Sequence, residues 1–322
     1  MAPITWTSTI LGATGLALAL GVGAAAQAPV VRTADPIKRG LQETDFPRLI
    51  KLSDSVYAYE DLRPASGDGK MTTVSLVVVT SEGVLVADGQ GNPEQTKAMI
   101  ALIKTVSTQP IRYVVICSDH GDHTGGNQEF PSDAMFIASP ASKKVLEQQA
   151  KDPARKPDAP KTIVPATTVA DTRVMKLGGT EIHILYLGRA HTGGDLSVYL
   201  PKQKILFMSE AYLNRVFPAM RSAYPTEWLT VMDKALKMNV DRYVPGHGFT
   251  EEPKVSREEL VNARKATKAV IDEVTRLHAK GLSVDDATKQ ASFGEYDSWV
   301  LRDQQGPIAV RQIYKELNGE LK

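Results

Sequence analysis

The stretch Val114-Val115-Ile116-Cys117-Ser118-Asp119-His120-Gly121-Asp122-His123-Thr124-Gly125-Gly126-Asn127 decides the fold class of this chain. Residues 114–116 are all β-branched, which predicts a buried strand. The segment that follows them is too polar and too rich in glycine to continue a strand. We therefore expect the functional side chains to lie where this strand ends.

Two histidines and an aspartate follow this strand within four residues. Imidazole nitrogen and carboxylate oxygen are ligands that Zn²⁺ accepts. Alternate residues of an extended backbone share a face, so His120 and Asp122 would point one way and His123 the other. Such a segment could serve two adjacent metal ions. The alternative is an ordinary polar surface loop, but histidine is scarce here, with six among 322 residues.

Residues 119–126 resemble the metal-binding signature His-x-His-x-Asp-His of the metallo-β-lactamase superfamily, with Ser118 where the first histidine belongs. Three later segments resemble the family's remaining ligand motifs, in the right order: Gly188-Arg189-Ala190-His191-Thr192-Gly193-Gly194-Asp195, Ile205-Leu206-Phe207-Met208-Ser209-Glu210 and Val244-Pro245-Gly246-His247-Gly248. The resemblance covers about residues 50–250. With these motifs and a helical tail, the overall architecture of the chain is similar to that of a periplasmic branch of that superfamily.

The resemblance implies a set of metal ligands: His120, Asp122, His123, His191, Glu210 and His247. One of the family's two sites is complete, with Asp122, His123, His247 and the bridging Glu210. The other keeps its remaining imidazoles and Glu210, but Ser118 replaces a histidine and a neutral hydroxyl is a weak zinc donor. We therefore expect one firmly held zinc ion and a weak or empty second site, with iron as the alternative metal.

The resemblance also implies the chemistry of an exported zinc-dependent hydrolase. A metal-bound water would attack an ester, lactone, thioester or amide bond of a small-molecule substrate. Asp122 or Glu210, whichever the metal does not fully occupy, is the expected proton acceptor. By the same resemblance, Asp88 would orient the ligand loop. Two alternatives stay open: an iron-dependent oxidoreductase of the same superfamily, and a degenerate, noncatalytic metal-binding protein.

The implied fold is α/β, a four-layer αββα metallo-β-lactamase sandwich over residues 29–250 with a C-terminal helical extension over 251–322. Hydrophobic periodicity agrees with this fold. Short strands are expected in a list of segments: 49–59, 73–80, 84–89, 114–116, 135–138, 168–175, 181–187, 196–200 and 204–208. Helices are expected in another: 94–105, 142–150, 226–238, from 255 onward, 283–291 and 308–317. The tail either covers the sandwich or forms a homo-oligomer interface.

The first 31 residues carry no charged side chain, and residues 10–26 are apolar. Ala26-Gln27-Ala28 has the small-x-small pattern of a signal-peptidase site, so residues 1–28 are expected to be a signal peptide and the mature protein to be periplasmic or secreted. A retained membrane anchor is the alternative, although the segment is short for a span. No stable membrane insertion is expected after cleavage. The single Cys117 excludes an intrachain disulfide.

Composition is that of an ordinary globular chain, with 42% hydrophobic and 23% charged residues. The 38 basic and 37 acidic side chains nearly cancel, so nucleic acid is not an expected partner.

His183 lies mid-strand and His278 in a helical segment, and both are interpreted as structural. The polar loop 61–70 corresponds to the family's flap, and the connection 212–224 is either a substrate loop or a packed crossover.

Overall fold

The structure is a computed structural model that describes residues 1–5, 31–65, 67, 69–154, 156 and 158–321. Most of the predicted signal peptide lies outside the described residues. Contacts between Cα atoms place Val31–Lys322 in one compact unit. No helix in the described ranges combines the length and the apolar character needed to cross a membrane.

In the part of the chain that the structure describes, twelve strands form one continuous hydrogen-bonded sheet that has two halves. The first half contains β1 Arg48–Lys51, β2 Val56–Pro64, β3 Lys70–Thr80, β4 Gly83–Ala87, β5 Ile111–Val115, β6 Met135–Ala138 and β7 Thr167–Thr168. The second contains β8 Thr172–Leu177, β9 Thr180–Leu185, β10 Ser197–Leu200, β11 Ile205–Leu213 and β12 Arg242–His247. The halves join where β3 meets β12, through the single residue pair Thr73 and His247.

Among the described residues, seven α-helices accompany the sheet: α1 Pro93–Val106, α2 Gly121–Thr124, α3 Pro140–Lys151, α4 Pro225–Leu236, α5 Pro253–Ala279, α6 Val284–Gln290 and α7 Arg302–Leu317. Short 3-10 turns occur at Glu43–Asp45, Asn127–Glu129 and Gly294–Ser298. Helix α1 begins where the sequence allows it, because the Asn92 side chain accepts the Gln95 backbone N–H and Pro93 occupies the first turn.

The two halves of the sheet pack face to face over one apolar core. Leu76 and Val115 of the first half belong to the same buried cluster as Ile184 and Phe207 of the second. The outer face of the first half packs against α1, and that of the second half against α4, α5 and α7. Because both faces of each half are covered, β4 is a continuous apolar run, and β3 is buried along almost its whole length although it carries threonines and a serine. The predicted four-layer αββα sandwich with C-terminal helices is confirmed.

The predicted loop 61–70 is shorter than expected, because β2 continues to Pro64 and β3 begins at Lys70, and two predicted strands also differ from the structure. The predicted strand 168–175 is two strands, because residues 169–171 leave β7 before β8 pairs with β9. The strand predicted over 204–208 instead extends through β11 to Leu213, and the last part of β11 is held by α4, whose Trp228 Nε1 donates to the Ala211 carbonyl at 2.8 Å. Glu210 therefore lies inside a strand rather than after its end.

The C-terminal helices cover the second half of the sheet. Helix α5 buries a stripe that includes Leu260, Ala263, Val270 and Val274. It contacts α4, α7 and β12, so the apolar face of the tail is used within the chain. The segment between α6 and α7 runs beside residues 216–217, where the Phe217 N–H donates to the Val300 carbonyl at 2.9 Å.

Candidate metal centre

The loop that follows β5 carries three of the predicted ligands. The Asp88 carboxylate fixes the start of this loop, because its Oδ1 accepts the backbone N–H groups of Cys117 at 2.7 Å and Ser118 at 3.3 Å. Helix α2 begins immediately afterwards, and His120 is its N-cap residue. The backbone at Asp122 and His123 is therefore helical and not extended, and the expected alternation is wrong: these two residues belong to one donor group, while His120 belongs to the other.

A first group of four donors consists of Asp122, His123, Glu210 and His247, whose ligand atoms all lie within 4.8 Å of one another. His247 Nε2 lies 3.1 Å from Asp122 Oδ2, 3.2 Å from His123 Nε2 and 3.3 Å from Glu210 Oε1. Two imidazoles and two carboxylates thus point at one small volume. This donor set fits a divalent ion that accepts nitrogen and oxygen, as zinc does.

A second group of three donors consists of His120, His191 and the same Glu210. His191 Nε2 lies 3.0 Å from His120 Nδ1 and 3.0 Å from Glu210 Oε1, while His120 Nδ1 lies 2.9 Å from Glu210 Oε2. Glu210 therefore faces the first group with one oxygen and the second group with both. All six residues that the resemblance implied as ligands are brought together.

Ser118 occupies the position of the missing histidine and contacts Glu210. Its Oγ donates a hydrogen bond to Glu210 Oε2 at 2.5 Å. Asp119, the remaining acid of the motif, is buried and belongs to neither donor group of the described residues. Cys117 is also outside both groups, and burial raises the pKa of its thiol well above the ordinary value. The second group thus keeps three donors.

Backbone and carboxylate oxygens orient the two histidines of the first group. The His247 Nδ1–H donates to the Thr72 carbonyl at 2.8 Å, which leaves Nε2 free to bind a metal. His123 Nδ1 lies 3.1 Å from Asp88 Oδ2, an ionic contact that is off the line of a well-formed hydrogen bond. Asp88 Oδ2 also accepts from Ser209 Oγ at 2.5 Å, so this carboxylate joins two ligand-bearing segments, the loop after β5 and β11.

Charge is concentrated at the centre and shifts the pKa values there. Burial lowers the pKa of His120, but the Glu210 carboxylate outweighs it and raises this pKa to about 9. Burial also lowers the pKa of His247, but its hydrogen bonds with Asp122 and Glu210 outweigh burial and raise this pKa to about 9. The pKa of Glu210 lies well below its usual value, because His191, His120 and His123 outweigh its burial. The carboxylates therefore attract cations, whether protons or a metal.

A cavity of about 340 Å³ opens onto both donor groups. Part of the cavity wall was not predicted from the sequence. Arg63, from the predicted flap, lies in β2 and forms an ion pair with Asp122. Leu301 and the start of α7 form another side. The sequence signal for Arg63 was a cation in a loop that overhangs the site, whereas nothing in the sequence pattern indicated which surface α7 would cover.

The two remaining histidines are distant from the cavity lining. His183 Nε2 lies 2.6 Å from Glu181 Oε1 on β9, and the His183 ring packs edge-on against Tyr199. His278 on α5 contacts Asn318 and the Tyr314 ring. Both therefore have structural partners of their own.

Comparisons with known proteins agree with this geometry. The family model "Metallo-beta-lactamase superfamily" matches residues 67–247. A metallo-beta-lactamase type 2 from Bacillus cereus is 25% identical over 211 residues, which cover 64% of this chain and 78% of that protein. The 2,4-dinitroanisole O-demethylase subunit alpha from Nocardioides sp. is 25% identical over 185 residues, 56% of this chain and 53% of that protein.

Solved structures show the same fold. The metallo-beta-lactamase from Pontibacter korlensis superposes with a TM-score of 0.59 at 21% identity, covering 69% of this chain and 98% of that one. The family model matches more than half of the 322 residues and ends at a predicted ligand, His247. This chain belongs to the metallo-β-lactamase superfamily.

Proposed function

We propose that this protein is an exported metal-dependent hydrolase that holds zinc and cleaves an ester, lactone, thioester or amide bond. One observation carries the proposal: two groups of nitrogen and oxygen donors share Glu210 at the floor of a cavity large enough for a small molecule. When bound there, a divalent ion polarises the scissile carbonyl and acidifies water.

The two donor groups are unequal, which supports one firmly held ion. The first group offers four donors and its two histidines have partners at Nδ1, namely Asp88 and the Thr72 carbonyl. The second group offers three, with Ser118 bound to Glu210 instead of supplying an imidazole. We assign the firm ion to the first group and a weak one to the second.

Asp122 is the proposed proton acceptor for the attacking water. Its carboxylate lines the cavity and its side chain is 19% exposed, whereas the Glu210 side chain is only 5% exposed and both its oxygens are engaged. Glu210 instead holds His120 and His191 in position. Arg63 pairs with Asp122 and keeps that carboxylate aimed at the cavity.

His247→Ala tests the assignment, with His183→Ala as a matched control outside the cavity. We expect His247→Ala to lose both the bound zinc, measured by elemental analysis, and turnover on a panel of esters, lactones, thioesters and β-lactams. Both variants should remain folded by circular dichroism. Unchanged zinc in His247→Ala contradicts the assignment.

The same metal analysis of the natural chain separates the alternative functions. Zinc with turnover on the panel supports the hydrolase. Iron in the purified protein favours an oxidoreductase, and a folded chain that takes no divalent metal and hydrolyses nothing favours a noncatalytic protein.

Export is supported by the uncharged first 31 residues and the Ala26-Gln27-Ala28 pattern. It is tested by expressing the full chain in a bacterium and sequencing the N-terminus of the recovered protein. A new N-terminus at residue 29 in the periplasmic fraction is the expected result. An intact N-terminus in the membrane fraction would instead indicate a retained anchor.

A further inference from the structure

The cavity above the metal donors has a wall that the family match does not include. That match ends at residue 247, yet Leu301, Gln304, Gln305 and Ile308 line the cavity. Leu301 is the N-cap residue of α7, and the other three lie in the first two turns of this helix. The C-terminal segment therefore forms part of the wall that a bound molecule would contact, so the matched domain alone does not determine substrate preference.

This wall is fixed to the rest of the protein by several contacts. Val300 pairs with Val216 as an isolated parallel bridge. Further along α7, Gln312 Nε2 donates to the Ala223 carbonyl at 2.8 Å, and Thr226 Oγ1 donates to Glu316 Oε1 at 2.7 Å. These contacts tie the residue before the N-cap of α7 and the last turns of α7 to the connection that follows β11 and to the first turn of α4. The cavity is thus preformed between two anchored segments.

Apolar side chains make up much of the lining. Met71, Leu213 and Val216 are almost fully buried beneath the cavity, and Leu301 and Ile308 face it from the α7 side. Ile308 itself is only half-buried, although an isoleucine on a packed helix commonly buries its side chain. An apolar group of a bound molecule could therefore pack against this lining and displace water from it.

Two cationic side chains lie beside this apolar surface. Arg63 and Arg221 both line the cavity, and its acidic lining residues are Asp122 and Glu210, which are metal donors. Arg221 is exposed and forms no ion pair among the residues that the structure describes. The Oγ of its neighbour Ser222 lies 3.5 Å from His120 Nε2, so Arg221 is next in the chain to a residue beside the second donor group. A bound divalent ion would add positive charge to the same cavity.

We propose that this cavity binds an amphipathic anion, with its apolar body against Leu213, Val216 and Ile308 and its negative charge beside Arg221. The inference rests on the proposed function, since it names the substrate class of that site. It makes Ile308 and Arg221 specificity-determining residues and gives the C-terminal helices a role in recognition. A short or neutral molecule would use only part of this lining.

Octanoate tests the proposal, with acetate and 1-octanol as probes that lack its apolar body or its charge. Calorimetric titration uses the full mature chain as purified, and the metal content of each sample is measured alongside. We expect octanoate to bind at least tenfold more tightly than either comparison molecule. Octanoate binding no tighter than that of acetate would overturn the inference.

Two variants assign the binding to the residues named. Ile308→Asp and Arg221→Glu should each weaken octanoate binding at least tenfold while metal content and the circular dichroism spectrum stay unchanged. Leu317→Asp, at the exposed end of α7, and Lys202→Glu, at the opposite end of β11, introduce the same charge changes away from the cavity and should have no effect. Octanoate binding that survives both cavity variants also overturns the inference.

The outcomes separate this inference from the proposed function. Lost octanoate preference in a chain that holds zinc and hydrolyses the panel rejects only the substrate class. A chain that binds octanoate through Ile308 and Arg221 but hydrolyses nothing rejects only the hydrolase.

Discussion

Replacing Asp88 by asparagine tests how the ligand loop is oriented. Asp88 is fully buried and contacts no metal position itself, since it belongs to neither donor group of the described chain. Its Oδ2 lies 3.1 Å from His123 Nδ1, and this negative charge favours the tautomer with the proton on Nδ1. His123 Nε2, which faces the donor group, is then free to bind a metal.

Asparagine removes the charge and can place an amide N–H opposite Nδ1, which favours the tautomer with the proton on Nε2. Changes of this kind weaken metal affinity by about 10- to 100-fold, or about 1.4–2.8 kcal/mol. The backbone N–H groups of Cys117 and Ser118 can still bond the amide oxygen, so the loop should keep its fold. Asp88→Asn should therefore lose zinc affinity while remaining folded.

Competition against a chromophoric zinc chelator measures the affinity. Ser209→Ala is the matched control, because it deletes the hydrogen bond to the same carboxylate oxygen but leaves the charge beside His123. We expect a smaller effect for Ser209→Ala than for Asp88→Asn. A folded Asp88→Asn protein that binds its firm zinc ion as tightly as the natural chain would refute the reasoning.

Two further predictions concern stability. A Cβ on Gly125 would lie 2.1 Å from the Gly91 carbonyl oxygen, whereas one on Gly121 meets nothing within 4 Å. Gly125→Ala should therefore lower the free energy of unfolding by about 1–3 kcal/mol in urea titrations and Gly121→Ala should not, and equal effects would contradict this packing. Burial raises the pKa of Asp195 to about 8 despite hydrogen bonds from Thr192, so the folded state holds a proton that the unfolded chain, with an aspartate pKa of about 3.9, releases. The free energy of unfolding should fall as pH rises from about 4 to 8, and Asp195→Asn should flatten that slope; parallel curves for the two proteins would show that Asp195 is not responsible.

The ligand motifs could be predicted from the sequence because four segments resemble the family's ligand motifs in the right order. Four such segments, in order, placed six side chains in one centre. The histidines at 183 and 278 were separable from them, because one lies mid-strand and the other in a helix, away from strand ends.

Other features depended on contacts between distant segments, which periodicity does not encode. The sequence predicted a helix over 308–317, but neither its start at Arg302 nor the place of Ile308 in the cavity lining. The extension of β11 to Leu213 follows from pairing with β12, where register shifts at Ser209 accommodate the irregular strand. The Ser118–Glu210 hydrogen bond joins residues 92 positions apart and is a product of the fold.

The junction between the two halves of the sheet is narrow, a single pair of Thr73 and His247. An ion held by Asp122, His123, Glu210 and His247 would sit at this seam and fasten the edge of each half to the other. The chain has one cysteine and hence no internal covalent bridge. A cation bound there would then stabilise the packing of the two halves of the sheet as well as support the reaction. Its removal would lower both the stability of the fold and the activity.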